Sequence, residues 1–255
     1  MDKLIDIRGV SMTYMSASAP VHALRQTDLT IDAGEFVSIV GPSGCGKTTL
    51  LKLIGGLHRA TTGTITINNT VVDGPADNVG FAFQSSVLLP WKTTIENVLL
   101  PIRVHRRLVK ADYDKAAGLL NLVGLEKFKD RYPNELSGGM QQRASICRAL
   151  VRDPACLLLD EPFGALDALT RENINVFFNG LWRRTKTTVV LVTHSVQEAV
   201  FLSTRILIMS RHPGAIIETI NVDLPAERHP ALIGTDKFAT YAGRIRTYFS
   251  ETGHE

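Results

Sequence analysis

Apolar and β-branched positions alternate along the first third of the chain. The runs Leu4 to Tyr14, Leu24 to Ile31, Glu35 to Val40 and Gly63 to Ile67 are bounded by Gly, Asp and Asn, and each predicts a strand. The period then changes: Leu50, Leu51, Ile54 and Leu57 fall on one face of a helix expected after Gly46. A further short strand is predicted from Val79 to Phe83. From about Thr93 to Arg152 the helical period dominates, with Leu99, Ile102, Leu119, Leu120, Leu122 and Val123 marking a helical subdomain. Two uninterrupted apolar runs follow, Cys156 to Leu159 and Thr188 to Val192, which read as buried strands separated by a helix from Ala168 to Arg184. Strands alternating with helices imply an α/β fold with a parallel sheet and crossovers. Only about 45 residues lie beyond Ser210, with a short strand, Pro-containing turns and a last helix near Tyr241 to Phe249. That is too little for a second domain of typical size. The expected organisation is one domain over residues 4–230, with a helical subdomain at about 85–152, and a short tail over 231–255.

Composition narrows the class. The 255 residues are 44% hydrophobic and 21% charged, ordinary values for a packed globular chain. A net charge of +3 lacks the strong basic excess of a nucleic-acid binder, so no nucleic-acid partner is expected. No run approaches the roughly 18 apolar residues of a membrane span. Met1 to Val10 mixes charged and apolar positions, so no secretory leader is expected there. Cys45, Cys147 and Cys156 form no Cys-x-x-Cys pair, and free thiols are expected rather than a disulfide framework or zinc site.

The first chemical motif is Gly41, Pro42, Ser43, Gly44, Cys45, Gly46, Lys47, Thr48, followed by Thr49. It fits the phosphate-loop pattern G-x-x-x-x-G-K-S/T, after an apolar strand and before a helix. Glycines let the backbone wrap phosphates with its N–H groups turned inward, and the helix N-terminus adds a favourable dipole. Lys47 can reach the β- and γ-phosphates, and the Thr48 hydroxyl can bind Mg²⁺. By itself the motif marks a nucleotide binder without separating a kinase from a GTPase or an ATPase.

The second is the strand Cys156 to Leu159 ending in Asp160 and Glu161. Beside a phosphate loop, the first carboxylate suits Mg²⁺ and the second suits a general base or water-positioning group. The third is Leu136, Ser137, Gly138, Gly139, Met140, Gln141, Gln142, Arg143. A small polar cap and two glycines open a second helix suited to a phosphate. One phosphate loop per chain leaves this second cradle redundant, unless it closes over ATP held by another copy.

Here the sequence resembles the ATP-binding cassette (ABC) family, whose signature is Leu-Ser-Gly-Gly-Gln; Met140 departs at the last position. The resemblance, over about Leu4 to Pro225, implies further roles. Gln84 matches the Q-loop glutamine at Mg²⁺ and the permease interface. Asp167, in Gly164-Ala-Leu-Asp167, matches the D-loop. His194 matches the switch histidine that holds the γ-phosphate and orients Glu161, and Tyr14 matches the aromatic that stacks on adenine. The implied fold is a P-loop NTPase with a RecA-like core, an antiparallel β subdomain and a helical subdomain. The implied catalytic residues are Glu161, His194 and Gln84. Residues Gly41 to Thr49 with Tyr14 would bind ATP, and Ser137, Gly138, Gly139 and Gln141 would bind the partner's ATP. Thr48, Gln84 and Asp160 would hold the metal.

The implied activity is ATP hydrolysis by two cassettes, expected as a homodimer, that drive a separate membrane permease. The chain would sit peripherally on the cytoplasmic side of the inner membrane. Leu88-Leu-Pro-Trp91-Lys-Thr93, Arg211-His-Pro-Gly214 and Leu224-Pro-Ala-Glu-Arg-His-Pro230 resemble the nitrate/sulfonate/taurine group of bacterial importers. That implies a small anionic cargo delivered by a periplasmic or surface solute-binding protein. Leu88, Leu89 and Trp91 are expected as an apolar knob facing the permease. Two rival readings are an ABC ATPase acting on nucleic acid or ribosomes and a module that binds ATP without turnover. The single cassette without a heptad tract counts against the first, and the intact Asp160, Glu161 and His194 against the second.

Overall fold

The computed structural model describes residues 2–16, 19–164 and 168–251. In chain order the elements are β1 (Lys3–Tyr14), β2 (Val21–Asp32), β3 (Phe36–Val40), α1 (Lys47–Ile54), β4 (Thr62–Ile67), β5 (Thr70–Val71) and β6 (Val79–Ala82). They continue with α2 (Thr94–His105), α3 (Lys110–Leu122), α4 (Gly138–Leu150), β7 (Cys156–Asp160), α5 (Ala168–Thr185) and β8 (Thr188–Val192). The chain closes with α6 (Val196–Leu202), β9 (Arg205–Met209), β10 (Ile216–Asn221) and α7 (Asp236–Glu251). These form two compact units, residues 1–77 with 178–255, and residues 78–177.

The first unit holds two sheets. One is antiparallel in the order β2-β1-β4-β5, and its inward positions Ile5, Ile7, Val10, Leu24, Ile31 and Ile65 are buried. In the other, β3 lies between β8 and β9 with both pairings parallel, and β10 pairs antiparallel with β9. Every residue of β3 and β8 is buried, as strands covered on both faces require. Leu50, Leu51, Leu53 and Ile54 of α1 are buried. Leu57, expected on that same face, lies beyond the helix end at Ile54 and is 40% exposed.

The segment after Pro230 folds back within this unit. Phe238, Ala242 and Ile245 of α7 are buried. Tyr248 Oη and Arg244 Nη2 donate to Glu218 of β10 at 2.7 and 2.9 Å, and Tyr241 Oη accepts from the Asp223 N–H at 3.0 Å. The helix starts at Asp236, five residues before the expected Tyr241, because Phe238 extends the apolar face by one turn.

In the second unit, β6 pairs parallel with β7. Helices α2, α3 and α4 enclose a core of Val98, Leu99, Ile102, Ala116, Leu120, Val123, Ala144, Cys147 and Val151. Helix α2 starts at a capping box: the Glu96 N–H donates to Thr93 Oγ1, and the Thr93 N–H donates to Glu96 Oε2 at 2.9 Å. Leu122, counted with the apolar face from its spacing, is 47% exposed at the end of α3. The three cysteines are free and buried. Burial pushes the Cys156 thiol up to about 12 and the Cys147 thiol higher still, so neither acts as a thiolate.

Candidate functional site

The phosphate loop is built by the first unit. Strand β3 is buried along its whole length, and residues 41–46 turn from it into α1. Gly46 opens the helix at φ 102°, a conformation that favours glycine. Lys47 is 6% exposed, and its Nζ donates to the Gly41 and Pro42 carbonyls at 2.8 and 2.7 Å. The ammonium is thus held inside the loop. Ser43 and Gly44, at the tip, are exposed. Tyr14, at the end of β1, places its hydroxyl 3.4 Å from Thr49 Oγ1, and its ring meets His58 edge-on at 5.9 Å. The same unit places His194 just beyond β8, the parallel neighbour of β3, so histidine and loop leave the sheet at the same end. That turn is braced from below. Thr193 Oγ1 donates to the buried Glu198 carboxylate at 2.6 Å and accepts from the Ser195 N–H at 3.0 Å, while Ser195 Oγ accepts from the Glu198 N–H. His194 itself is exposed.

The second unit carries the other half of the expected chemistry. Asp160 ends β7 and is 5% exposed. Glu161 follows at φ 45°, left-handed for a residue with a side chain. Such a backbone costs about 1–3 kcal/mol and gathers at functional positions. Gln84, two residues past the neighbouring strand β6, donates from Nε2 to Glu161 Oε2 at 3.4 Å. Asp167 lies outside the described residues.

Ser137 caps α4, its Oγ accepting from the Met140 N–H at 3.3 Å. Ser137 and Gly138 are exposed at the helix start, which leaves the dipole end open. Met140 packs on the apolar core of this unit, which gives the departure from the signature a packing role. Gln141 turns back on its own chain. Its Nε2 donates to the Pro133 and Leu136 carbonyls, and its Oε1 accepts from Ser86 Oγ at 3.1 Å.

Two residues not singled out in the sequence shape the segment after Gln84. Arg148 of α4 donates to the Val87 and Ser86 carbonyls at 2.7 and 2.8 Å. Those bonds hold Val87 at φ 44°, an unusual conformation for a β-branched side chain. Asn97, fully buried in α2, accepts from the Leu89 N–H at 2.7 Å, and its Nδ2 faces the carbonyls of Leu89, Lys92 and Thr93 at 3.0–3.1 Å. The expected apolar knob is split as a result. Leu88 packs against the unit's core, while Trp91 and Val87 stand 70% and 57% exposed. No local period marks Arg148 or Asn97, since each is defined by backbone groups of the irregular segment 86–93.

The ABC transporter family matches residues 24–164. The chain belongs to the ABC transporter family. It is therefore an ATP-hydrolysing cassette of a transporter, not an ATPase acting on nucleic acid. The aliphatic sulfonates import ATP-binding protein SsuB of Bacillus cereus is 43% identical over 224 residues, 88% of each chain. The nitrate import ATP-binding protein NrtD of Synechocystis is 39% identical over 237 residues, covering 93% of this chain and 87% of the relative. Among solved structures, the dimeric post-hydrolysis state of the cassette MJ0796 bound to ADP and Pi shares 34% identity. It superposes with a TM-score of 0.78 over 87% of this chain and all of that one. The ABC cassette thus has the expected α/β architecture, with its antiparallel sheet, parallel-sheet core and helical part.

Proposed function

We propose that this cassette is the motor of a bacterial importer for small anionic solutes of the sulfonate or nitrate class. The observation that carries the mechanism is the pair of helix starts, one at Lys47 behind a phosphate loop and one, exposed, at Gly138 behind Ser137. Two copies arranged head to tail would each hold ATP between residues 41–49 of one and Ser137, Gly138 and Gly139 of the other. The solved dimeric relative supports this arrangement, and the sulfonate and nitrate import relatives support the cargo class.

Tyr14 would stack on adenine, and Lys47 would leave its loop carbonyls to meet the phosphates. Thr48, Gln84 and Asp160 offer hydroxyl, amide and carboxylate oxygens, the hard donors that Mg²⁺ takes; when bound, the ion would neutralise charge on the β- and γ-phosphates. Glu161 would take a proton from the attacking water or orient it, with Gln84 fixing its carboxylate and His194 steadying the γ-phosphate. Gln141 acts by joining the signature turn to Ser86 rather than by reaching the nucleotide. Asp167 would act across the dimer interface. The exposed Trp91 and Val87 form the face offered to the permease, with a solute-binding protein upstream of it. The chain would work peripherally on the cytoplasmic side of the inner membrane; among the described residues no helix is long and apolar enough to cross one.

The test is light scattering of Glu161→Gln with and without ATP. That change should slow turnover by about 10²-fold or more, the worth of a positioned base, and trap an ATP-dependent dimer. A monomer at saturating ATP, or unchanged turnover, refutes the assignment.

A further inference from the structure

The segment Arg211 to Gly214 has no chemistry of its own, yet it lies directly against the phosphate loop. Ser210 closes the turn: its N–H donates to the Ala215 carbonyl at 2.8 Å, and its Oγ accepts from the Ala215 N–H at 3.0 Å. Gly214 is thereby laid beside β2. The Arg25 N–H donates to the Gly214 carbonyl at 2.8 Å, and the Gly214 N–H donates to the Ala23 carbonyl at 3.2 Å. A Cβ on Gly214 would stand 2.0 Å from the Cys45 carbonyl oxygen and 2.7 Å from Met209 Cε. The other side of the loop is as tightly held, since a Cβ on Gly46 would stand 2.6 Å from the Ala23 carbonyl oxygen, and one on Gly41 3.0 Å from that of Met209. Loop residues 41, 45 and 46 therefore rest on a wall made of Ala23, Met209 and Gly214.

The orientation of one peptide follows. The Cys45–Gly46 peptide is trans, so its carbonyl and N–H point in opposite directions. The carbonyl is pressed toward Gly214, and the Gly46 N–H therefore faces away from the wall, on the phosphate side of the loop. We infer that Gly214 is a positioning residue for nucleotide binding: its missing side chain lets the Cys45 carbonyl turn outward and so aims the Gly46 N–H at a bound phosphate. The inference rests on the phosphate-loop reading above. Ordinary contact for a Cβ begins at 3.4 Å, so any side chain at 214 forces wall and loop apart or flips the peptide.

The experiment is calorimetric titration of wild type, Gly214→Ala and Lys47→Ala with ATP, ADP and adenosine, alongside thermal unfolding. Gly214→Ala should weaken ATP and ADP by about tenfold or more, within the roughly 10²-fold that an ångström-scale misplacement costs, and leave adenosine unchanged. Wild-type affinity for ATP in Gly214→Ala, with Lys47→Ala impaired, overturns the role of Gly214 and leaves the phosphate loop standing. Equal losses for adenosine and ATP also overturn it, because they report general loosening. Wild-type ATP binding in Lys47→Ala would remove the phosphate-loop reading itself. One measurement avoids variants altogether: the Gly46 amide resonance of the wild-type chain should move on addition of ADP, and an unmoved resonance overturns the proposed orientation.

Discussion

Asn97→Leu removes the residue that shapes the segment between Gln84 and α2. Leucine keeps the branched four-atom outline of asparagine but is bulkier, so at this fully buried position overpacking adds to the loss of polar contacts. Asn97 Oδ1 accepts from the Leu89 N–H, and Nδ2 faces three carbonyls at 3.0–3.1 Å. An amide nitrogen has two hydrogens, so only two of those three carbonyls are fully served at once. Three working hydrogen bonds at about 1 kcal/mol each give an expected loss of about 3 kcal/mol. Leu89 is only half-buried, so water relieves part of the cost of its stranded N–H. Asn97→Asp should be worse, because it keeps the bond from Leu89 but turns a buried carboxylate toward carbonyl oxygens. Urea unfolding at pH 7 measures both, and amide exchange over residues 87–93 reports whether the loop opens first. Asn97→Leu within about 0.5 kcal/mol of wild type, the range of an indifferent surface change, would refute the reasoning. So would Asp proving milder than Leu.

Other outcomes are expected. Met140→Gln, which restores the family signature, should cost about 1 kcal/mol in lost apolar packing and leave ATP turnover unchanged in a steady-state phosphate-release assay. A marked rise in turnover would show that the side chain acts at the nucleotide rather than in the core. Asp112 receives two bonds from Arg106, at 2.7 and 2.6 Å, and one from the Val109 N–H. Arg106 first, and then Val109, hold its carboxyl below the ordinary value of 3.8. A carboxyl depressed by folding stabilises above its unfolded pKa, and the gain disappears as pH falls below about 4. Asp112→Asn should therefore lower the melting temperature at neutral pH and flatten its decline in acid. An unchanged acid profile would exclude Asp112 as a contributor.

Much of this cassette is written locally. The phosphate loop, the Asp160–Glu161 strand end and the Ser137 helix cap are each set by a few consecutive residues, because a turn, a strand end and a helix start are decided by neighbours in sequence. The buried strands Cys156 to Leu159 and Thr188 to Val192 were equally legible, since a run of apolar residues of that length needs cover on both faces. Ambiguity began where one side chain had a choice of environments. Leu88 and Trp91 lie in one apolar run, yet one packs inward and the other faces out. Met140 reads as a flaw in the signature until its side chain is seen packed against the core of the helical unit. Gln141 sits in the signature but spends its amide on Pro133, Leu136 and Ser86.

The sequence by itself therefore determined the class of chemistry and the order of its parts, because those depend on short-range patterns. Tertiary structure alone decided how the parts are aimed. Gly214 meets Cys45 although the chain must run through most of the protein to bring them together. Arg148 reaches the Ser86 and Val87 carbonyls, and Asn97 binds a loop folded back on its own helix. Each of these is a single close approach between backbone and one side chain, or between two backbones. Such contacts have no period, and nothing in the residues beside them differs from an ordinary turn or helix, so only the folded chain makes them visible.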